Sequence, residues 1–201
     1  RDSHLMVKYL APNDAAQWDS YVLNHPSSTP FHRMAWSNAV ECAFNRRVYM
    51  LYVEKAGRIC GVLPLTHIKS RLFGSSLISC GFAVYGGPLA DNQEAHDALD
   101  QEASQLMKVL DVPIVEYRNQ QPLRKGWPSK SEVYATFKKQ IDPDPDVNMK
   151  AIPRKQRAMI RKALKYDLKA RRDETGDAHF RLYSTSLRNL GTPTFPKKFF
   201  D

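Results

Sequence analysis

The sequence lacks most of the patterns that would assign a chemistry outright. Its 201 residues hold three cysteines, Cys42, Cys60 and Cys80, widely spaced and without a C-x-x-C pair. Such a set fits buried free thiols in reducing surroundings better than a disulfide framework or a metal site. The six histidines include no H-x-x-x-H pair, so no zinc site is expected. No G-x-S-x-G elbow or cysteine signature marks a covalent nucleophile. No run approaches the ~20 apolar residues that a membrane span requires. The opening RDSHLM has no apolar signal region; residues 1–5 read as an expression remnant ahead of Met6, and a cytoplasmic location is expected.

Acidic residues are nearly missing from one stretch, and that absence is informative. Lys150 to Arg172 contains ten Lys/Arg and a single acid, Asp167. Its net charge equals the +9 of the whole chain, so everything else sums to zero. A neutral body with one basic element suggests a local anionic partner rather than a generally adhesive surface.

What is present is an ordinary globular composition, 42% apolar and 25% charged. Residues 6–141 alternate short apolar runs with turns. A strand is read at Val7–Leu10, a helix from Asp14 (after Pro12 and Asn13) with Trp18, Tyr21 and Val22 on one side, and a second helix at Met34–Ala43. A hairpin follows, with Val48, Met50 and Tyr52 on one strand, Ile59, Val62, Leu63 and Leu65 on the other, and Ala56-Gly57 at the turn. Further strands are expected at Ser76–Phe82, Val112–Arg118 and Glu132–Ile141. Ala95, Leu99, Ala103, Leu106 and Leu110 recur at helical spacing within Asn92–Leu110. The pattern predicts a mixed α/β sheet covered by helices. Asp142–Asn148, rich in Pro and Asp, is the expected linker (142–149) before a polar, helical region at 150–201.

Within Lys150–Arg172 the periodicity predicts one amphipathic helix. Ile152, Met159, Ile160, Ala163, Leu164 and Leu168 share half of the wheel, and Arg154, Lys155, Arg161, Lys162, Lys165 and Lys169 the other, with Arg157 at the margin. Twenty helical residues would form a rod of roughly 30 Å. Another helix is expected at Thr175–Asn189, with Phe180, Tyr183 and Leu187 inward and Gly191 as its cap. Pro193 and Pro196 introduce one more.

Several of these strings resemble FemAB-type proteins. Ser28–Val40 (STPFHRMAWSNAV) is similar to that family's opening motif. Gly61–Gly74 (GVLPLTHIKSRLFG), Val84–Asp91 (VYGGPLAD), Ile152–Lys165 (IPRKQRAMIRKALK) and Ser186–Phe200 (SLRNLGTPTFPKKFF) resemble its subgroup found beside exosortase/PEP-CTERM systems. The resemblance implies a GNAT-like (acyl-CoA N-acyltransferase) fold, with a first domain at 6–141 and the opening helices of a second, incomplete one at 150–201. It also implies an N-acyltransferase that moves an amino acid from aminoacyl-tRNA to an amine of a cell-envelope or exopolysaccharide-associated acceptor, inactive without its second half. Two positions depart from the family pattern: Asn38 and Phe195 stand where basic side chains would hold a nucleotide pyrophosphate.

Direct acyl transfer needs positioning, oxyanion stabilisation and removal of a proton, but no enzyme nucleophile. The acyl-CoA loop R/Q-x-x-G-x-G/A is missing; Arg188–Pro193 comes nearest but follows a helix, and no cofactor is expected. The basic cluster Arg154, Lys155, Arg157, Arg161, Lys162 and Lys165 reads equally as a solvated face or as a site for tRNA or for the phosphates of an envelope precursor. A candidate cleft joins His32, Arg33 and Trp36 to Tyr85, Gly86 and Gly87. There His32 could move a proton and the glycines could let backbone approach a ligand; a packed aromatic with a surface histidine, and a tight strand-to-helix turn, are the plainer readings. Glu116-Tyr117-Arg118 ends an internal strand, with Tyr117 on one face and its neighbours forming an ion pair or facing water on the other. A polyanion-binding module and a non-catalytic scaffold are the competing functions. The scaffold reading expects an oligomer joined through exposed Leu164, Leu168, Phe199 and Phe200.

Overall fold

The computed structural model describes residues 5–11, 14–72, 74–121, 124–131 and 133–200. Pro12, Asn13 and Glu132, which figure in the sequence reading, lie outside them. The chain divides into two compact units, one of Arg1–Lys125 with Phe180–Asp201 and one of Gly126–His179. The expected linker therefore falls inside the second unit.

The first unit is built on a sheet ordered β1-β2-β3-β4-β6, with β5 paired to β3. Strands β1 (Met6–Tyr9), β2 (Val48–Lys55), β3 (Arg58–Ser70) and β4 (Gly74–Ser79) run antiparallel. The β2–β3 turn takes positive φ at both Ala56 (51°) and Gly57 (76°), the twist that closes a two-residue hairpin without splaying its strands. A bulge between Val53 and Glu54 then shifts the register by one residue, so that Leu51 stands opposite Leu63. Alternation then sends Leu51, Val53, Leu63 and Leu65 to one face, where Ala95, Leu99, Ala103 and Leu106 of α3 (Gln93–Val109) bury them. Met50, Tyr52 and Val62 face the other way, against Trp18 and Val22 of α1 (Ala15–Asn24). Covered on both faces, β3 is buried without interruption from Cys60 to His67, as an internal strand requires.

Helix α3 starts where Asn92 accepts the Ala95 N–H at 2.9 Å, a side-chain cap on an otherwise orphaned donor. Beyond α2 (Met34–Phe44), Asn45 takes a left-handed φ of 51°. Cys60 and Cys80 are buried free thiols, but Cys42 is exposed on α2. The short β5 (Leu89–Ala90), absent from the sequence reading, extends the sheet along β3.

Expectations failed where strands lacked partners. The predicted Ser76–Phe82 strand ends at Ser79, and the predicted Val112–Arg118 strand pairs only at β6 (Val115–Glu116). No strand forms within 133–141: Tyr134 and Phe137 are 95% and 94% exposed, so the alternation has no surface to cover.

In the second unit, the expected linker continues into α4 (Pro145–Ala151). Asp144 caps it by accepting the Asp146 N–H at 2.8 Å, with Pro145 in its first turn. The single basic rod is also corrected. Pro153 cannot donate and disfavours helix at Ile152 before it, so α4 stops and α5 runs only Arg154–Ala163. A 3-10 turn at Leu164–Tyr166 and a left-handed Asp167 (φ 44°) then end the helical run. Ten residues give a rod of about 15 Å. Met159, Leu164 and Leu168 are exposed rather than inward.

Helix α6 (Asp177–Asn189) leads back into the first unit. Gly191, at φ 71°, donates to Arg188 O and the Thr192 N–H donates to Leu187 O, which is the paired bonding of a Schellman cap. Phe199 and Phe200, expected at an exposed end, are instead packed. Phe199 lies 5.4 Å from Trp36 and 5.5 Å from Phe44, and Phe200 lies 5.1 Å from Tyr183.

Candidate functional site

Among the described residues one strand pair is parallel, β4 with β6, matched at Leu77–Val115 and Ile78–Glu116. Pro64 explains why β4 goes no further. Its carbonyl accepts the Cys80 N–H at 3.2 Å, so the side of β3 facing β4 has no N–H to return there. Past this point Cys80 (φ 49°) and Phe82 (φ 62°) turn the chain away. A left-handed phenylalanine is strained by roughly 1–3 kcal/mol. Phe82 is held by stacking on Phe44, with centroids 3.8 Å apart and planes at 9°, and by the edge of Phe195 at 6.1 Å.

The carboxyl ends of β4 and β6 meet the loop that follows Ser79, at the kind of sheet edge where α/β proteins accept ligands. Arg118 organises it. Its N–H donates to Ser79 Oγ at 3.0 Å, its carbonyl accepts the Gly86 N–H at 2.5 Å, and its guanidinium donates to Ala83 O and Glu116 Oε1, each at 2.8 Å. The Glu116–Arg118 ion pair and the inward Tyr117 follow the strand alternation read from sequence. Burial raises the Tyr117 phenol well above its ordinary range, with Asp100 adding to the effect.

Of the predicted cleft, the structure brings together His32, Trp36, Tyr85, Gly86 and Gly87 but diverts Arg33, which pairs with Asp19 at 3.4 Å. Phe31 bridges the aromatics, 4.7 Å from Trp36 and 5.6 Å from Tyr85, and Trp36 Nε1 donates to Gly81 O at 3.1 Å. His32 is neither a surface group nor an accessible proton carrier: it is 2% exposed. Nε2 lies 3.0 Å from the Gly87 carbonyl, which can only accept, so Nε2 carries the proton. Nδ1 then accepts from the Thr29 N–H at 3.1 Å and its hydroxyl at 2.8 Å. Burial lowers the His32 pKa, partly opposed by these bonds. The glycines approach the chain itself rather than an open site. A Cβ on Gly86 would stand 2.5 Å from Cys80 Cβ and Sγ, and one on Gly87 (φ 119°) would strike Asn119 Oδ1. Burial pushes the Cys80 thiol up to about 12, which removes it as a nucleophile.

Sequence reasoning passed over Arg118 as the organiser of this loop. Pro64, inside an apolar run, was the available signal that β4 must stop beside it.

In the second unit, Arg154, Lys155, Arg157, Arg161 and Lys162 lie on α5 and Lys165 on the following turn. All are exposed except half-buried Arg157. Among the described residues none of the six has a carboxylate within 4.0 Å; nearby, Lys169 pairs with Asp167 and Arg172 with Glu174. Arg161 and Lys162 sit in the last turn, where the helix dipole favours cations.

Among the described residues no helix is long and apolar enough to cross a membrane, and no group of His, Cys, Asp and Glu could hold a metal.

No protein-family model matches this chain, and no curated protein does. Among solved structures FemX matches 97% of it, with a TM-score of 0.61 and 19% identity. Looser likenesses extend to a GNAT family acetyltransferase of Staphylococcus aureus subsp. aureus USA300_TCH1516 (TM-score 0.43, 12% identity, 68% of this chain and 98% of that one). They also include AAC(6')-Iy (TM-score 0.42, 9% identity, 85% and 96%). The chain has the mixed α/β, GNAT-like fold seen in FemX, and it spans about half the length of that structure, 53%.

Proposed function

We propose that this protein is a FemAB-type N-acyltransferase, which moves an amino acid from aminoacyl-tRNA to an amine of an envelope- or exopolysaccharide-associated acceptor. The FemX-like fold along 97% of the chain is the observation that carries this reading. The strings that resemble the exosortase/PEP-CTERM subgroup favour an acceptor of that setting. In the reaction the acceptor amine attacks the ester carbonyl, a C–N bond forms, the ester C–O bond breaks and the amine proton passes to the departing ribose oxygen. No enzyme thiol or hydroxyl need be acylated, in keeping with the buried, high-pKa Cys80. Arg118, held by Glu116 and the Ala83 carbonyl at the carboxyl edge of the sheet, offers a fixed, partly buried charge for positioning substrate. The unpaired cations of α5 suit the tRNA phosphates. Since FemX has nearly twice this length, activity is proposed to need a second GNAT-like half. The test follows labelled amino acid from aminoacyl-tRNA into envelope precursors, with the 201-residue chain and with a longer gene product carrying such a half. Turnover by the longer protein alone is expected; turnover by neither defeats the assignment.

A second reading, a polyanion-binding module, is favoured by the six α5-region cations that lack carboxylate partners. Titration with tRNA and duplex DNA over a salt series separates the two. Equal affinity for both, falling steeply with salt, supports the module, whereas preference for charged over uncharged tRNA supports the transferase.

A further inference from the structure

At the end of the sheet away from Arg118, two adjoining cavities of about 840 and 260 Å³ share Arg46, Lys69 and Leu110. The larger also meets Arg71, just past β3, and Ser75 of β4, and the smaller meets Arg47 and His67. Four cations thus converge with one acid in the lining, Asp111, and among the described residues none of the four has a carboxylate within 4.0 Å. Five other cations of the first unit, Lys8, Arg33, Lys55, Arg118 and Arg124, each hold a carboxylate. The groove is also firmly built. The His67 N–H donates to Arg47 O at 2.9 Å, Arg47 lies over the Tyr49 ring at 5.0 Å, and His67 Nε2 meets Ser75 Oγ at 2.9 Å.

We propose that this groove binds a phosphate ester, with Arg46, Lys69 and Arg71 around the phosphoryl oxygens and Ser75 at its floor. Crowded like charges that repel one another in the free protein are what a multiply charged anion relieves. Guanidinium and ammonium groups supply charge-assisted bonds to phosphoryl oxygens. His67 reports the event: burial, then Lys69 and Arg46, hold its pKa below the ordinary value, and an anion between those cations raises it. The proposed site uses none of the α5 cations, so it stands whether or not transfer activity is found.

The experiment titrates the whole chain with inorganic pyrophosphate and with a short single-stranded RNA, following the His67 imidazole by NMR. Binding should shift that resonance and raise its pKa. Lys69→Glu with Arg71→Glu, both at exposed positions, should weaken binding about tenfold or more, while Arg161→Glu with Lys162→Glu leaves the His67 response intact. Response to pyrophosphate, which presents the same phosphoryl oxygens, points to a small free phosphate compound as ligand, and response to RNA alone to a nucleic-acid strand; either supports the site. An unmoved His67 at millimolar concentrations of both, or full binding by the Lys69/Arg71 variant, overturns it.

Discussion

Two regions of one chain solve the problem of staying ordered by different means. The sheet unit buries Leu51, Val53, Leu63, Leu65, Leu77 and Leu99 completely. In Gly126–His179 no described residue is buried. Its helices rest on local devices instead. Asn148 Nδ2 donates to Asp142 O at 2.6 Å and to Asp144 O at 3.1 Å, and Asp173 accepts the His179 N–H at 2.7 Å. Short helices without a buried face are marginal in water, so the two regions should differ sharply in their tolerance of mutation. Side-chain entropy and charge repulsion weigh against the second, and burial does little to offset them.

The sharpest way to break this contrast is Trp18→Ala. Trp18 is fully buried and donates to His32 O at 2.8 Å, so a loss of about 3–5 kcal/mol is expected in urea denaturation. A loss under about 1 kcal/mol would mean that α1 is dispensable to the sheet. Gly86→Val comes next. Its side chain must displace Cys80, and a cost of about 1–3 kcal/mol should appear in the same measurement.

Acid should act on the sheet unit through His32, His67 and His96, whose pKa values are all lowered chiefly by burial. An unfolded histidine takes its proton near 6.5, and these do so only at lower pH. Their contribution is therefore complete above about pH 6.5 and is lost as pH falls through the folded values. Denaturation midpoints should drop between pH 7.5 and 5, and equal midpoints would contradict the burial of all three. The smallest effect belongs to the second unit. Phe137→Ala should change stability by no more than about 0.5 kcal/mol, despite removing an aromatic ring. A larger loss would reveal packing at that exposed position.

Sheet and helices of the first unit were legible because period and punctuation agreed. The spacing of Ala95, Leu99, Ala103 and Leu106, the Asn92 cap and the Ala56-Gly57 turn each point to one structure. Glu132–Ile141 misled because alternation records only the ability to lie on a sheet; a strand also needs an edge to join. A helical wheel of Lys150–Arg172 takes no account of Pro153, whose ring and missing N–H divide the helix. At the candidate site, the meeting of His32, Trp36, Tyr85 and Gly87 was readable, but their roles were not. His32 stands between Phe31 and Arg33 in sequence, which leaves its burial open, and only the Gly87 carbonyl, brought across by the loop, makes it a buried tie. Arg118 reads as a strand-end charge in sequence, and only the fold brings Ser79, Ala83 and Gly86 onto it.

The packing of Phe195 and Phe199 over Trp36, Phe44 and Phe82 has a consequence for biosynthesis. A ribosome releases α2 and β4 first, then all of Gly126–His179, and only afterwards the rings that complete the aromatic layer. We predict that the nascent sheet unit shows this greasy face to chaperones throughout that interval, because closure awaits contacts distant in sequence. Arrested chains ending before Phe195 should be cut by protease near α2, and resistance there would refute the order of events. Assembly of the first unit is thus paced by translation of the second.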